Sequence, residues 1–187
     1  MPLPTPTVSR TLTHTRRVRF EAYKRADGLW DLEAHLTDIK PLDYRLSSGI
    51  RPAGTPVHDM WIRLTVDRAL TIVDALTLTE AMPYPGHCDA IGPDYARKLV
   101  GLSLARGFRK HVQARLGDLA GCTHLNEMLV QFPTAAIQAL AGERVDNQDD
   151  DGVRPFQLDR CHALETGGEV TRRYYPRWYT GTRTGTD

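Results

Sequence analysis

This chain has no apolar run approaching eighteen residues, so no membrane-spanning helix is expected. Its opening residues, Met1-Pro2-Leu3-Pro4-Thr5-Pro6, lack the apolar core of a secretory signal, and none is expected there. Charge of one sign is lacking too. With 24 Lys and Arg against 23 Asp and Glu the formal net charge is +1, which provides no field to gather a nucleic acid. The local cluster Arg106, Arg109, Lys110 and Arg115 reads as a solvated helix face. Cysteine is scarce: three in 187 residues, an odd number that suits thiols kept reduced in a cytoplasm. No internal repeat is present.

What is there is a globular composition, 41% apolar and 25% charged, in a chain long enough for one well-filled core and short for two. Residues 1–15, rich in Pro and Thr, are expected to form a flexible arm, and the low-complexity stretch 180–187 a loose tail. Residues 16–179 are expected to form a single domain.

Within that domain the hydrophobic period changes once. From Arg16 to Thr79 it is two. Val18, Phe20 and Ala22 share one face, and Trp30, Leu32, Ala34 and Leu36 the next, with the turn Ala26-Asp27-Gly28 between them. Met60, Ile62, Leu64 and Val66 alternate likewise, and a break at Asp67-Arg68-Ala69 leads into Leu70, Ile72, Leu76 and Leu78. This pattern predicts an antiparallel meander. From Pro93 the period lengthens. Pro93-Asp94 opens a helix bearing Tyr95, Leu99 and Leu102 that Gly107 closes. Arg109–Leu116 is a second short helix. Residues 122 to about 140 form the third, with Pro133 kinking or splitting it and Gly142 ending it. The acidic stretch Asp146–Gly152 reads as an exposed loop. Strands followed by helices imply an α+β fold, an antiparallel sheet of about four strands with about three helices packed on one face.

Each of the three cysteines stands beside a histidine or one residue from it: His87-Cys88, Cys122-Thr123-His124 and Cys161-His162. Thiolate and imidazole are the donors that Zn(II), Fe(II) and iron–sulfur clusters prefer, and the same pair suits nucleophilic catalysis. His58-Asp59 stands at the entrance of the third long strand, Cys88 in the loop Pro83–Cys88 after the fourth, and Cys122 at the start of the longest helix. Three connections can thus meet at one end of the sheet, each offering a ligand. The expected metal set is His58, Asp59, Cys88 and Cys122. If residues 122–124 were already helical, Cys122 and His124 would point about 200° apart and could not share an ion. His124, Glu127 and His87 are therefore expected around the ligands rather than among them. For Cys161, packing on an apolar face with Leu158 and Leu164 is the expected role.

Two resemblances attach to these residues. Asp27-Gly28-Leu29-Trp30-Asp31, His58-Asp59-Met60, the Cys88 loop with Tyr95 and Leu99-Val100-Gly101, Gly121-Cys122-Thr123-His124-Leu125 and Cys161-His162-Ala163-Leu164 together resemble a family of bacterial proteins catalogued only as a domain of unknown function. That likeness implies a single-domain protein and brings no activity. In order of elements, the run Asp59–Val66, Ile72–Ala75, a loop cysteine and a helix-borne cysteine is also similar to the scaffold proteins of iron–sulfur cluster assembly. This likeness implies a transient cluster or a zinc ion. His58 stands where that family has a thiolate, and a mixed His/Asp/Cys/Cys set suits a mononuclear Zn or Fe ion better than a labile cluster.

The expected function is a cytoplasmic metal-binding protein acting as carrier or accessory, scaffold-like in fold. The aromatic segment Tyr174-Tyr175-Pro176-Arg177-Trp178-Tyr179 is read as a docked strand or an edge offered to a protein partner. An alternative is a small metal- or thiol-dependent enzyme acting on a small molecule, with Glu127 or His124 as general base. A third reading is an interaction module whose thiols are core.

Overall fold

The computed structural model describes residues 3–141 and 152–181. The acidic stretch 146–151, the expected helix terminus Gly142 and the tail residues 182–187 lie outside the described residues. Two compact units divide the chain, residues 1–138 and 139–187.

The first unit is an antiparallel sheet with helices on one face. Four long strands, β1 (Thr15–Lys24), β2 (Trp30–Ile39), β5 (Pro56–Val66) and β6 (Ile72–Ala81), lie in the order β1-β2-β5-β6. A small separate hairpin, β3 (Tyr44–Leu46) with β4 (Gly49–Arg51), fills the connection between β2 and β5. Alternation fixes what each strand buries. Trp30, Leu32, Ala34 and Leu36 of β2 and Met60, Ile62, Leu64 and Val66 of β5 are all buried, while the residues between them face the other way. β1, at the edge, carries the exposed Arg17 and Arg19 on the face turned from the core, charges that discourage pairing with another chain.

β6 departs from the expected apolar row. Ile72 and Ala75 are buried, whereas Leu76 and Leu78 are 55% and 51% exposed. A register shift between Thr65 and Val66 is the cause: Thr65 pairs with Asp74 but Val66 with Ile72, so one extra residue moves the side chains that follow, through Thr79, to the opposite face.

The helices that cover the buried face are α1 (Gly92–Leu99), α2 (Phe108–Leu116), α3 (Thr123–Leu129) and α4 (Phe132–Ala139). α1 lies against β6, and α3 against β2 and β5. The expected helix to Gly107 stops much sooner. Gly101 takes the left-handed conformation (φ +85°) that commonly ends helices, and residues 101–104 then run alongside Leu70–Ile72 through main-chain hydrogen bonds. The expected helix from residue 122 to about 140 is split as Pro133 required. α3 ends at Leu129, and Pro133 sits in the first turn of α4, where a missing N–H costs little. Phe132 at that break packs edge-on to Phe20 of β1, ring centres 5.2 Å apart.

In the second unit the described residues form α5 (Glu169–Tyr174) and two single 3-10 turns, His162–Leu164 and Pro176–Trp178. The aromatic run is therefore helix end and turn, not strand: Pro176 sets the φ that starts its turn. Cys161 is exposed rather than packed with Leu158, which is buried. No helix among the described residues is long and apolar enough to cross a membrane.

Candidate metal centre

The apolar rows of the sheet end in polar residues, and all at the same end. On β1 the core-facing series Ala22, Phe20, Val18 continues to Arg16. On β2 the series Leu32, Ala34, Leu36 continues to Asp38, and on β5 the series Leu64, Ile62, Met60 continues to His58. Register places these three side by side, Arg16 opposite Asp38 and Asp38 opposite His58. A polar row thus crosses three strands on the face that buries the core.

Asp38 is its centre and is 3% exposed. Its Oδ1 accepts from Arg16 Nε at 2.9 Å and lies 2.7 Å from His14 Nε2. Its Oδ2 accepts from Arg16 Nη2 at 2.8 Å and lies 3.0 Å from His58 Nδ1. Such a forked guanidinium contact is the strong form of carboxylate pairing. Burial pushes the Asp38 carboxyl upward, but the Arg16 guanidinium and the two imidazoles outweigh it and hold the group well below the usual carboxylate range.

α3 closes the site from above. His124 brings its ring to 3.9 Å from that of His58, centre to centre, tilted by 34°. One helical turn on, the exposed Glu127 accepts from Arg16 Nη1 at 2.6 Å. Burial lowers the pKa of His58 despite its bond to Asp38. Burial, and then the neighbouring His58 and Arg16, lower that of His124. Both shifts favour the neutral imidazole, the form that has a nitrogen lone pair to offer. Among the described residues, Asp38, His58 and His124 each present one ligand atom within 4.8 Å of the others.

The placement of Cys122 follows from its backbone. It caps α3 in an extended conformation (φ −102°, ψ 127°), and the helix begins only at Thr123. The divergence expected of a helical Cys122–His124 pair therefore does not arise, and Sγ lies 3.8 Å from His124 Nδ1. Tyr95 of α1 fixes this turn. Its hydroxyl accepts the Cys122 N–H at 2.6 Å and donates to Asn126 Oδ1 at 2.9 Å. Gly121 is needed just before it, because a Cβ there would strike the Leu116 carbonyl.

The expected ligands are thus only partly gathered. His58 is in the cluster and Cys122 beside it. Asp59, the next residue in β5, projects to the opposite face and lies 2.7 Å from His35 Nε2, the His35 ring being stacked on Trp61 at 3.7 Å. Cys88 is half-buried in the turn after β6 and is not in the group, and His87 is exposed. Asp38, Arg16 and His14 were not anticipated. The signal was present as a polar residue at the end of each core-facing row, legible only once the register of three strands is known.

Residues 14–138, more than half of the chain, match a family described as protein of unknown function (DUF2889), and the chain belongs to that family. The matched span begins at His14 and ends where the first unit ends, so it contains every residue of the cluster. No curated protein and no solved structure matches the chain.

Proposed function

We propose that this member of the DUF2889 family is a metal-binding protein whose site is the Asp38–His58–His124 cluster. The observation that carries the reading is the convergence of two half-buried imidazoles and a buried carboxylate within 4.8 Å. Imidazole nitrogen is the commonest protein donor to Zn(II), and a carboxylate bonded to a ligand histidine orients it and raises its basicity. Hard cations such as Mg(II) and Ca(II) call for oxygen-rich sets, so the donors here favour zinc or another late first-row ion. The two histidines, rings 3.9 Å apart and tilted by 34°, stand beside that carboxylate and are only partly buried, which leaves the group open to an ion from solvent.

The test is equilibrium dialysis of the intact chain against Zn(II), with elemental analysis. About one equivalent should be retained, and His58→Ala and His124→Ala should each lose it, while Asp59→Ala and Cys88→Ala retain it. Equal retention by the two histidine variants, or none by the wild type, contradicts the reading.

One contact favours a second reading. Cys122 Sγ at 3.8 Å from a neutral His124 is also how a thiol nucleophile stands to its base, as a thiol-dependent enzyme would require. In that case iodoacetamide modifies Cys122 faster than Cys88 in metal-free protein, and His124→Ala removes the difference.

A further inference from the structure

Among the described residues, the groups that converge on the cluster supply three donors, one from each of Asp38, His58 and His124. Tetrahedral zinc takes four, and sites with three protein ligands keep the fourth position for water or a substrate atom. What that position accepts is decided by the charge around it.

The imidazoles bring no negative charge. Asp38 does, but both of its oxygens already accept from one guanidinium, Arg16 Nε at 2.9 Å and Arg16 Nη2 at 2.8 Å. Nη1 of the same group goes to the exposed Glu127 at 2.6 Å. A guanidinium has five N–H donors, so these three contacts leave two for a ligand. A second guanidinium stands close by. Arg51 of β4 acts by its charge on His58, and its Nη2 donates at 2.8 Å to the Met82 carbonyl, a neutral acceptor. Two arginines therefore balance Asp38 and Glu127 before any ion enters. A divalent cation adds two positive charges that nothing in the cluster offsets, and charge held partly out of water is costly unless it is paired.

We infer that the loaded site binds an oxyanion from solvent, the carboxylate or phosphate group of a small molecule, held by the ion and by the charge of Arg16 and Arg51. The inference rests on the metal-binding reading above and names the class of molecule its site accepts. Asp38 is the link between the two cationic centres. A carboxylate shared by a guanidinium and an ion keeps them within a few ångströms of each other, and an oxyanion answers both. Arg16 and His14 are exposed, so that side of the cluster is reached from water.

Calorimetric titration of the zinc-loaded intact protein, freed of excess zinc and held at constant ionic strength, tests this with two probes, inorganic phosphate and acetate. About one equivalent of at least one probe should bind, and the metal-free protein should bind it at least about 10-fold more weakly. By reciprocity the bound anion should tighten zinc retention by the same factor. The tighter of the two probes assigns the source, phosphate-bearing or carboxylate. Arg16→Gln should weaken the anion on the order of 10-fold, the scale of a lost charge-assisted hydrogen bond. Arg51→Gln leaves the hydrogen bonds of Asp38 and the histidines in place and should weaken it about 3–10-fold, which decides the matter if Arg16→Gln no longer retains zinc. Zinc retained by the wild type with neither probe bound overturns the oxyanion and leaves the metal-binding reading standing. Equal binding by the metal-free protein overturns it too, since the ion is then not the anchor. Wild-type anion affinity in the arginine variants that retain zinc overturns the part given to their charge. No zinc retention by the wild type overturns both readings.

Discussion

At the scale of single residues the site depends on groups that a cysteine-and-histidine survey passes over. Tyr95 is the clearest. It is wholly buried, and its hydroxyl joins α1 to the first turn of α3 through Cys122 N–H and Asn126. Burial pushes its pKa up to about 12. In the unfolded chain a tyrosine ionises near pH ~10. The neutral hydroxyl therefore contributes stability that is whole below pH ~10 and is lost as the pH rises towards about 12. A gap of that width corresponds to roughly 2–3 kcal/mol. Urea titrations from pH 8 to 12 should show this loss in the wild type. Tyr95→Phe should begin about 1–2 kcal/mol less stable, from the broken hydrogen bonds, and fall less steeply above pH ~10. Parallel alkaline limbs in the two proteins would contradict the account.

At the scale of elements, what the sequence reveals and what it hides divide along physical lines. Strands β1, β2 and β5 were legible because period-two alternation in Val18–Ala22, Trp30–Leu36 and Met60–Val66 is strong and local. The split at Pro133 was legible because proline acts on its own turn. The bulge that turns Leu76 and Leu78 outward was not, since a one-residue slip leaves composition unchanged. The end of α1 at Gly101 was hidden for another reason: Val100-Gly101-Leu102 continues a helical period, and the pairing of residues 101–104 with Leu70–Ile72 decides the matter from outside. The site shows the same divide. His58 stood out from its local pattern, while Asp38 and Arg16 become functional candidates only through the pairing of β1, β2 and β5. Gly121 belongs to this scale too. It lets the chain leaving α2 pass against the Leu116 carbonyl and enter α3 with Cys122 extended. Gly121→Ala should force that junction apart, costing about 2 kcal/mol or more in urea and abolishing zinc retention. Wild-type stability and zinc content in this variant would show that the close approach is not needed.

At the scale of the molecule, the fold explains why such a site lies where it does. Three strands bring their core-facing rows to one end, and there the rows change from apolar to charged. α3 then lays His124 and Cys122 over that end. Strands fix the lower groups to a rigid sheet, and one helix start fixes the upper ones, so the ring of His58 meets that of His124 without a flexible loop between them. The stretch shared with the family, residues 14–138, is the part of the chain that builds this arrangement. The most direct test of the central claim is anomalous diffraction at the zinc absorption edge from crystals of zinc-loaded intact protein. The account predicts a single strong peak between His58 and His124, at bonding distance from both rings. A peak elsewhere, or none at the cluster while zinc is present in the crystal, would contradict it.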